Sequence, residues 1–267
     1  MLNYYAKLSS FGSCVPQKIL NNYDLEKIVE TSDEWIRTRT GMFERHIASE
    51  NEAASDLAYE AAVRAIESSS VKYKDIDQII VATISGDHPF PSTACILQKK
   101  LGLKDIPCFD ISAGCTGFIY ALDVARQYVE NGIVQNILVI GVEILTKITN
   151  WKDRNTCVLF GDGAGAAVIG EVEDGLGVLG IDLGSDGSGG KYLFQPAGGS
   201  RRPASHETVD AREHFIHMNG NEVFKFAIQI MGKTAKRALA KAGLEPADVD
   251  LLVPHQANIR IINSAAK

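Results

Sequence analysis

The chain has 267 residues, 45% of them hydrophobic and 22% charged, with a formal net charge of −6. That composition suits a globular protein with a large core, and its acidic balance gives no general attraction to nucleic acid or anionic membranes. Cys14, Cys95, Cys108, Cys115 and Cys157 are odd in number, scattered and without a C-x-x-C pair, which suits a reducing cytoplasm better than a disulfide framework or a zinc site.

No run of about twenty apolar residues offers a membrane span, and residues 1–8 lack the basic end and apolar core of a signal peptide. Residues 3–10 read as a first strand and 22–29 as a short helix. Thr31-Ser32-Asp33-Glu34 has the form of a capping box, so a second helix should start with Thr31 as its N-cap and carry Trp35 and Arg39. Residues 55–68 place Leu57, Ala58, Ala61, Ala65 and Ile66 at helical spacing, and 77–83 reads as a buried strand. This alternation argues for α/β layering. Residues 87–92 form a proline-stiffened loop with Phe90 at an apolar tip, either a buried turn or a finger inserted into a partner.

Residues 107–111 read as a strand, 112–114 as a tight bend and 116–131 as a helix, which leaves Cys115 where strand turns into helix. The unpaired N–H groups and positive dipole end of a helix stabilise a thiolate there, while Gly114 and Gly117 leave room for a substrate carbonyl. A small apolar side chain filling a tight bend is the competing reading. A strand at 136–142 follows, then a loop with Trp151 and Arg154, and strand candidates at 156–160 and 164–170. The glycines of residues 160–165 lack the spacing and the following Lys-Ser/Thr of a phosphate loop, and read as a tight connection between two buried strands.

The helix, turn and strand at 62–80 recur without a gap at 235–253, at a constant offset of 173 residues. Two similar α/β halves are expected, 1–172 and 173–267, joined near residues 171–177. By that register the second half stops after roughly 95 residues, and counterparts of the Cys115 unit are expected to be missing. Residues 222–242 form a long helix with Phe224, Ile228 and Met231 on one face and Lys225, Lys233, Arg237 and Lys241 on another, either a solvated face or one that docks an acidic partner. The repeat places His255 at the carboxyl end of a buried strand, the edge where open α/β sheets place ligands, as a candidate partner for the cysteine.

Five stretches together carry a resemblance: Thr31 to Gly41 (TSDEWIRTRTG), Ser112 to Phe118 (SAGCTGF), Phe160 to Gly165 (FGDGAG), Asn221 to Lys225 (NEVFK) and Pro254 to Arg260 (PHQANIR). In these the chain resembles the β-ketoacyl-acyl-carrier-protein synthase III family of the thiolase superfamily. The resemblance implies an α/β thiolase fold, two similar halves in an α-β-α-β-α layered sandwich with the second half truncated, and a homodimer. It implies a decarboxylative condensation of a short acyl-CoA with malonyl-acyl-carrier protein that starts fatty acid synthesis, without metal or cofactor, acyl-CoA being a substrate. Cys115 would be the acylated nucleophile and His255 a member of a Cys-His-Asn triad. Thr31, Trp35, Arg39 and Arg154 would bind the coenzyme A nucleotide, and Phe160, Asn221 and Phe224 would line the substrate path. Lys225 and Arg260 would dock the carrier protein, and Phe90 would reach into the partner's acyl pocket. The family's asparagine and glycine-rich oxyanion segment would lie beyond Lys267. A non-catalytic or acylation-only truncated relative, and a polyketide or hydroxymethylglutaryl-CoA-type synthase, remain open. A cysteine hydrolase fits less well, because Ala113 takes the first glycine position of G-x-C-x-G.

Overall fold

The computed structural model describes residues 5–172 and 176–266. In chain order its elements are β1 (Tyr5–Cys14), β2 (Lys18–Asn21), α1 (Asn22–Leu25), α2 (Asp33–Thr40), β3 (Glu44–Ile47), α3 (Ala54–Glu67), β4 (Gln78–Ala82), α4 (Thr93–Lys100) and β5 (Cys108–Ile111). There follow α5 (Gly117–Glu130), β6 (Ile137–Ile144), α6 (Arg154–Cys157), β7 (Asp162–Val172), β8 (Leu193–Phe194), α7 (His206–Asp210), β9 (His217–Met218), α8 (Gly220–Ala242) and α9 (Ile259–Ala265). The described residues fall into two compact units. One is drawn from Met1–Lys18, His46–Ile144 and Asp162–Ile181, the other from Ile19–Arg45, Leu145–Gly161 and Asp182–Lys267.

The first unit is built on a five-stranded sheet of order β1-β7-β6-β4-β5. β4 lies parallel to both β5 and β6, whereas β7 runs antiparallel to β6 and β1. Every residue of β4 is buried, as expected of a parallel strand covered on both faces, which therefore reads as a continuous apolar run. Alternate residues feed two cores. Ile79, Val81, Leu138 and Ile140 pack with Ala58, Ala61 and Leu97 of α3 and α4. Ile80, Ala82, Ile137 and Val139 pack with Ala121 and Ala125 of α5 on the other face. The carboxyl ends of β4, β5 and β6 consequently share one edge, where chain crossovers on opposite faces leave a natural ligand site.

The small side chains of α3 let it approach β1 closely. A Cβ on Gly12 would stand 2.1 Å from the Ala61 carbonyl oxygen and 2.4 Å from the Ala65 nitrogen. Neither backbone atom can move without shifting the helix, so Gly12→Ala is expected to destabilise the protein by about 1–3 kcal/mol. A denaturant midpoint equal to that of the parent would contradict this close packing.

In the second unit Leu25, Ile36, Cys157 and Val158 form a small core with Trp35 packed against it. Arg45 is buried here and donates to the carbonyls of Leu20 and Val158 and to Asn22 Oδ1. Asp182 pairs with Arg237 at 2.8 Å and Lys241 at 3.0 Å, so part of the basic face of α8 holds its own unit together. No residue of α8 is buried.

Several boundaries differ from the expectations. The first strand extends to Cys14, and residues 3–4 lie outside the described residues, as do 173–175 of the expected junction. Helix 22–29 shortens to α1. Ser32, not Thr31, caps α2, its Oγ accepting from the Trp35 N–H at 3.1 Å. Glu34 does not complete a capping box; the Asp33 N–H donates instead to Glu26 at 2.7 Å. The expected strand at 156–160 is absent because Asp153 caps the short helix α6, and Asp162 to Gly165 already belong to β7, so residues 160–165 do not join two strands. The repeat holds through the short 3₁₀ turns Tyr73–Asp75 and Pro246–Asp248, which differ by the same 173 positions. It fails at the following strand. Residues 249–253 pair with no strand among the described residues, and Leu251 and Val253 are 78% and 80% exposed. His255 therefore does not follow a buried strand.

Candidate active site

Cys115 lies on the 3₁₀ turn Gly114–Thr116 between β5 and α5. Gly114 has φ +53°, a left-handed value that glycine accepts without strain. A Cβ on Gly117 would meet the Ala82 Cβ at 3.1 Å, and one on Gly141 would meet Phe118 at 3.4 Å. Glycine at these places lets α5 sit directly on β4 and β6, which sets Cys115 at the carboxyl edge of the parallel strands. The expected strand–turn–helix is present, with the turn one residue longer and α5 starting at Gly117.

The electrostatics of the thiol differ from expectation. Cys115 opens to the surface, yet surrounding protein displaces enough water to push its pKa up, and the nearby Glu143 carboxylate pushes it further. Its own backbone N–H acts in the opposite direction but does not prevail. The resting group is therefore a thiol, since desolvation and a like charge both disfavour the anion. Burial likewise raises the pKa values of Cys14 and Cys157, and pushes Cys108 up to about 11. What distinguishes Cys115 is its place on the turn.

Glu143 escaped the sequence reading, although its signal is visible as the sole charge in the apolar run ILVIGVEI of β6. Its carboxylate accepts from the Ile84 N–H at 3.0 Å and from the hydroxyls of Ser85 and Thr83. Burial raises its pKa, and these hydrogen bonds lower it in part.

In the second unit the guanidinium groups of Arg39 and Arg154 lie over the Trp35 ring, 5.1 and 5.0 Å from its centre. Arg154 also donates to the Glu30 carbonyl at 3.1 Å. Thr31 Oγ1 is buried and has no hydrogen-bond partner. The structure thus brings Trp35, Arg39 and Arg154 together, as a cluster with aromatic and cationic groups suited to a nucleotide and its phosphates. Arg260, on α9, lies over Phe224 at 5.1 Å, and Lys225 pairs with Glu222 at 2.6 Å. Asn221 is exposed on the first turn of α8, and Phe160 is half-buried before β7. The His255 pKa is lowered by loss of water around the ring, which favours the neutral imidazole. Phe90 belongs to the first unit and is 85% exposed, and its loop leads into α4, whose first N–H groups at Thr93 and Ala94 donate to Asp110. Among the described residues no group of three or more His, Cys, Asp or Glu could hold a metal ion, and no helix is long and apolar enough to cross a membrane.

Residues 109–187 match the family model for 3-oxoacyl-[acyl-carrier-protein] synthase III, and residues 239–267 match the model for its C-terminal part. A β-ketoacyl-[acyl-carrier-protein] synthase III of Caldanaerobacter subterraneus is 61% identical over 256 residues, covering 96% of this chain and 77% of that protein. One from Desulfitobacterium hafniense is 56% identical over the same shares of the two chains. The crystal structure of 3-oxoacyl-[acyl-carrier-protein] synthase III from Aquifex aeolicus VF5 superposes with a TM-score of 0.88 at 44% identity, covering 98% of this chain and 80% of that one. The chain therefore has the α/β thiolase fold of the condensing enzymes it is similar to. Within that class it belongs to the β-ketoacyl-[acyl-carrier-protein] synthase III family.

Proposed function

We propose that this protein condenses a short acyl-CoA with malonyl-acyl-carrier protein, through an acyl group carried on Cys115, to begin fatty acid synthesis. The observation that carries the reading is the open cysteine on the glycine-flanked turn between β5 and α5, in a chain 61% identical to a named synthase of this kind. That likeness favours this reaction over polyketide-type or hydroxymethylglutaryl-CoA-type synthesis, and over a relative without catalysis.

In the first step the Cys115 sulfur, on losing its proton, attacks the thioester carbonyl. The oxyanion takes a hydrogen bond from the Cys115 N–H, and coenzyme A departs as a thiolate that takes up from solvent a proton equivalent to the one Cys115 released, leaving an acyl-cysteine. In the second step the malonyl C–C bond breaks. Carbon dioxide leaves, and the electron pair passes into a thioester enolate that accepts a hydrogen bond from neutral His255. The enolate carbon then attacks the acyl-cysteine carbonyl, and the C–S bond to Cys115 breaks. A depressed imidazole pKa suits this role, because a neutral ring donates without having to be discharged first.

Trp35, Arg39 and Arg154 are proposed to hold the coenzyme A nucleotide, with Thr31 beside them, and Phe160, Asn221 and Phe224 to line the path of the pantetheine arm. Lys225 and Arg260 would meet the acidic carrier protein. A second copy of the chain is proposed to pair along β5, an edge strand of the sheet, with Phe90 reaching into the partner's acyl site. Five free thiols suit the cytoplasm. Light scattering on the purified protein tests the dimer, and a monomer at micromolar concentration would remove it.

Arg39→Ala and Arg154→Ala are each expected to weaken coenzyme A binding about tenfold or more, the scale of a lost charge-assisted hydrogen bond. Carrier-protein binding should change less, and the deficit should shrink in high salt as the phosphate attraction is screened. Calorimetry at two salt concentrations measures this. Unchanged affinity in both variants would remove the pair from the nucleotide site.

A further inference from the structure

Glu143 is a carboxylate at the functional edge of the sheet, and the condensation as written does not use it. On β6, residues 137 and 139 contribute to the core under α5, so Gly141 and Glu143 continue along the same face towards the carboxyl edge. Phe118 of α5 rests over Gly141, and Cys115 precedes Phe118 on the turn. β4 runs between β6 and β5, with Ala82 in register with both Gly141 and Ile111. The next residues, Thr83 to Ser85, therefore cross the edge between Glu143 and the start of the cysteine turn. Thr83 N–H donates to the Ile111 carbonyl at 3.1 Å. On the other side, Ile84 N–H and the Ser85 and Thr83 hydroxyls donate to Glu143. Ser85 Oγ also accepts from the Ile144 N–H at 2.8 Å, which ties the segment to β6 twice.

We propose that Glu143 is a positioning residue for Cys115, fastening the Thr83–Ser85 segment across the edge on which the cysteine turn stands and placing a carboxylate beside the thiol. The inference rests on the reading of Cys115 as the acylated group. It assigns Glu143 two effects on that group: its hydrogen bonds hold the floor of the site, and its charge favours the protonated thiol in the free protein. Glu143 is the charged group that acts on Cys115, and the groups that act on Glu143 are the neutral donors of residues 83–85. The nucleophile is thus kept as a thiol until substrate arrives, which also guards it against adventitious alkylation and oxidation.

The test is the pH profile of Cys115 alkylation by iodoacetamide, followed by peptide mass mapping in the parent protein, Glu143→Gln and Ser85→Ala. Glu143→Gln keeps the shape of the side chain and removes its charge, so the midpoint for Cys115 should move to lower pH. Ser85→Ala keeps the Glu143 charge but removes a hydroxyl donor that partly neutralises it, so it should move the midpoint to higher pH. Folding of each variant is checked by circular dichroism, and the Ser85 variant decides the matter if the glutamine variant does not fold. A midpoint that does not fall in a folded Glu143→Gln protein, or does not rise in a folded Ser85→Ala protein, overturns the proposal. Because alkylation reads the thiol without acyl-CoA, this result is separate from the question of whether Cys115 carries the acyl group.

Discussion

A Cys115→Ala protein is expected to lose malonyl-dependent condensation by roughly 10⁴-fold or more, because the proposed reaction carries the acyl group on the Cys115 sulfur and binding contacts alone do not replace a covalent intermediate. Its thermal unfolding should nevertheless stay near that of the parent. Cys115 is exposed on its turn, and the tight contacts of that turn are made by Gly117 and by Gly141 with Phe118. Loss of activity with an unchanged melting curve separates a chemical role from a structural one. A variant retaining more than about a hundredth of the parent rate would show that another group carries the acyl chain.

His255→Ala should divide the reaction into its two steps. In the proposed reaction acylation of Cys115 does not call on the imidazole, whereas enolate formation does, so condensation should fall by about 10²- to 10³-fold while acyl-enzyme still accumulates. The pH dependence carries a definite sign. Since loss of water lowers the His255 pKa, the neutral donor persists below the ordinary histidine range, and the acid limb of condensation should lie below it. Acylation should instead rise with pH above neutrality, because the Cys115 pKa is raised and only the thiolate attacks. Rapid-quench measurement of acyl-enzyme and product across pH checks both limbs. Equal losses in acylation and condensation would remove His255 from the second step.

The parts of the molecule legible in the sequence were those whose patterns are local. The buried strands β4 and β6 showed as apolar runs, α3 and α8 as helical periodicities, and the cysteine turn as small residues between a strand and a helix. The family motifs joined Trp35 and Arg39, with Arg154 beside them, in one expectation, and in the structure both guanidinium groups lie over the Trp35 ring. Features that depend on competition between neighbours were not legible. Ser32 displaces Thr31 as a cap because both can accept from the backbone two or three residues on, and only the actual chain path chooses between them. The apolar stretch 249–253 has the same pattern as β4, but a strand exists only where another pairs with it, and pairing is not written in the stretch itself. The thiol was misjudged for a related reason. A helix N-terminus could be read from the sequence, whereas Glu143, 28 positions further on, acts on Cys115 only after β6 has been placed beside β4.

Incubating the purified protein with radiolabelled acetyl-CoA, followed by proteolysis and mapping of the labelled peptide, tests the central claim most directly. The account predicts label on the peptide containing Cys115, and none on those containing Cys14, Cys95, Cys108 or Cys157. Cys95 is the informative comparison because it too is exposed but lies in the first turn of α4, its Sγ against the Cys108 carbonyl at the start of β5. Label on any cysteine other than Cys115, or no covalent label at all above neutral pH, would contradict the account.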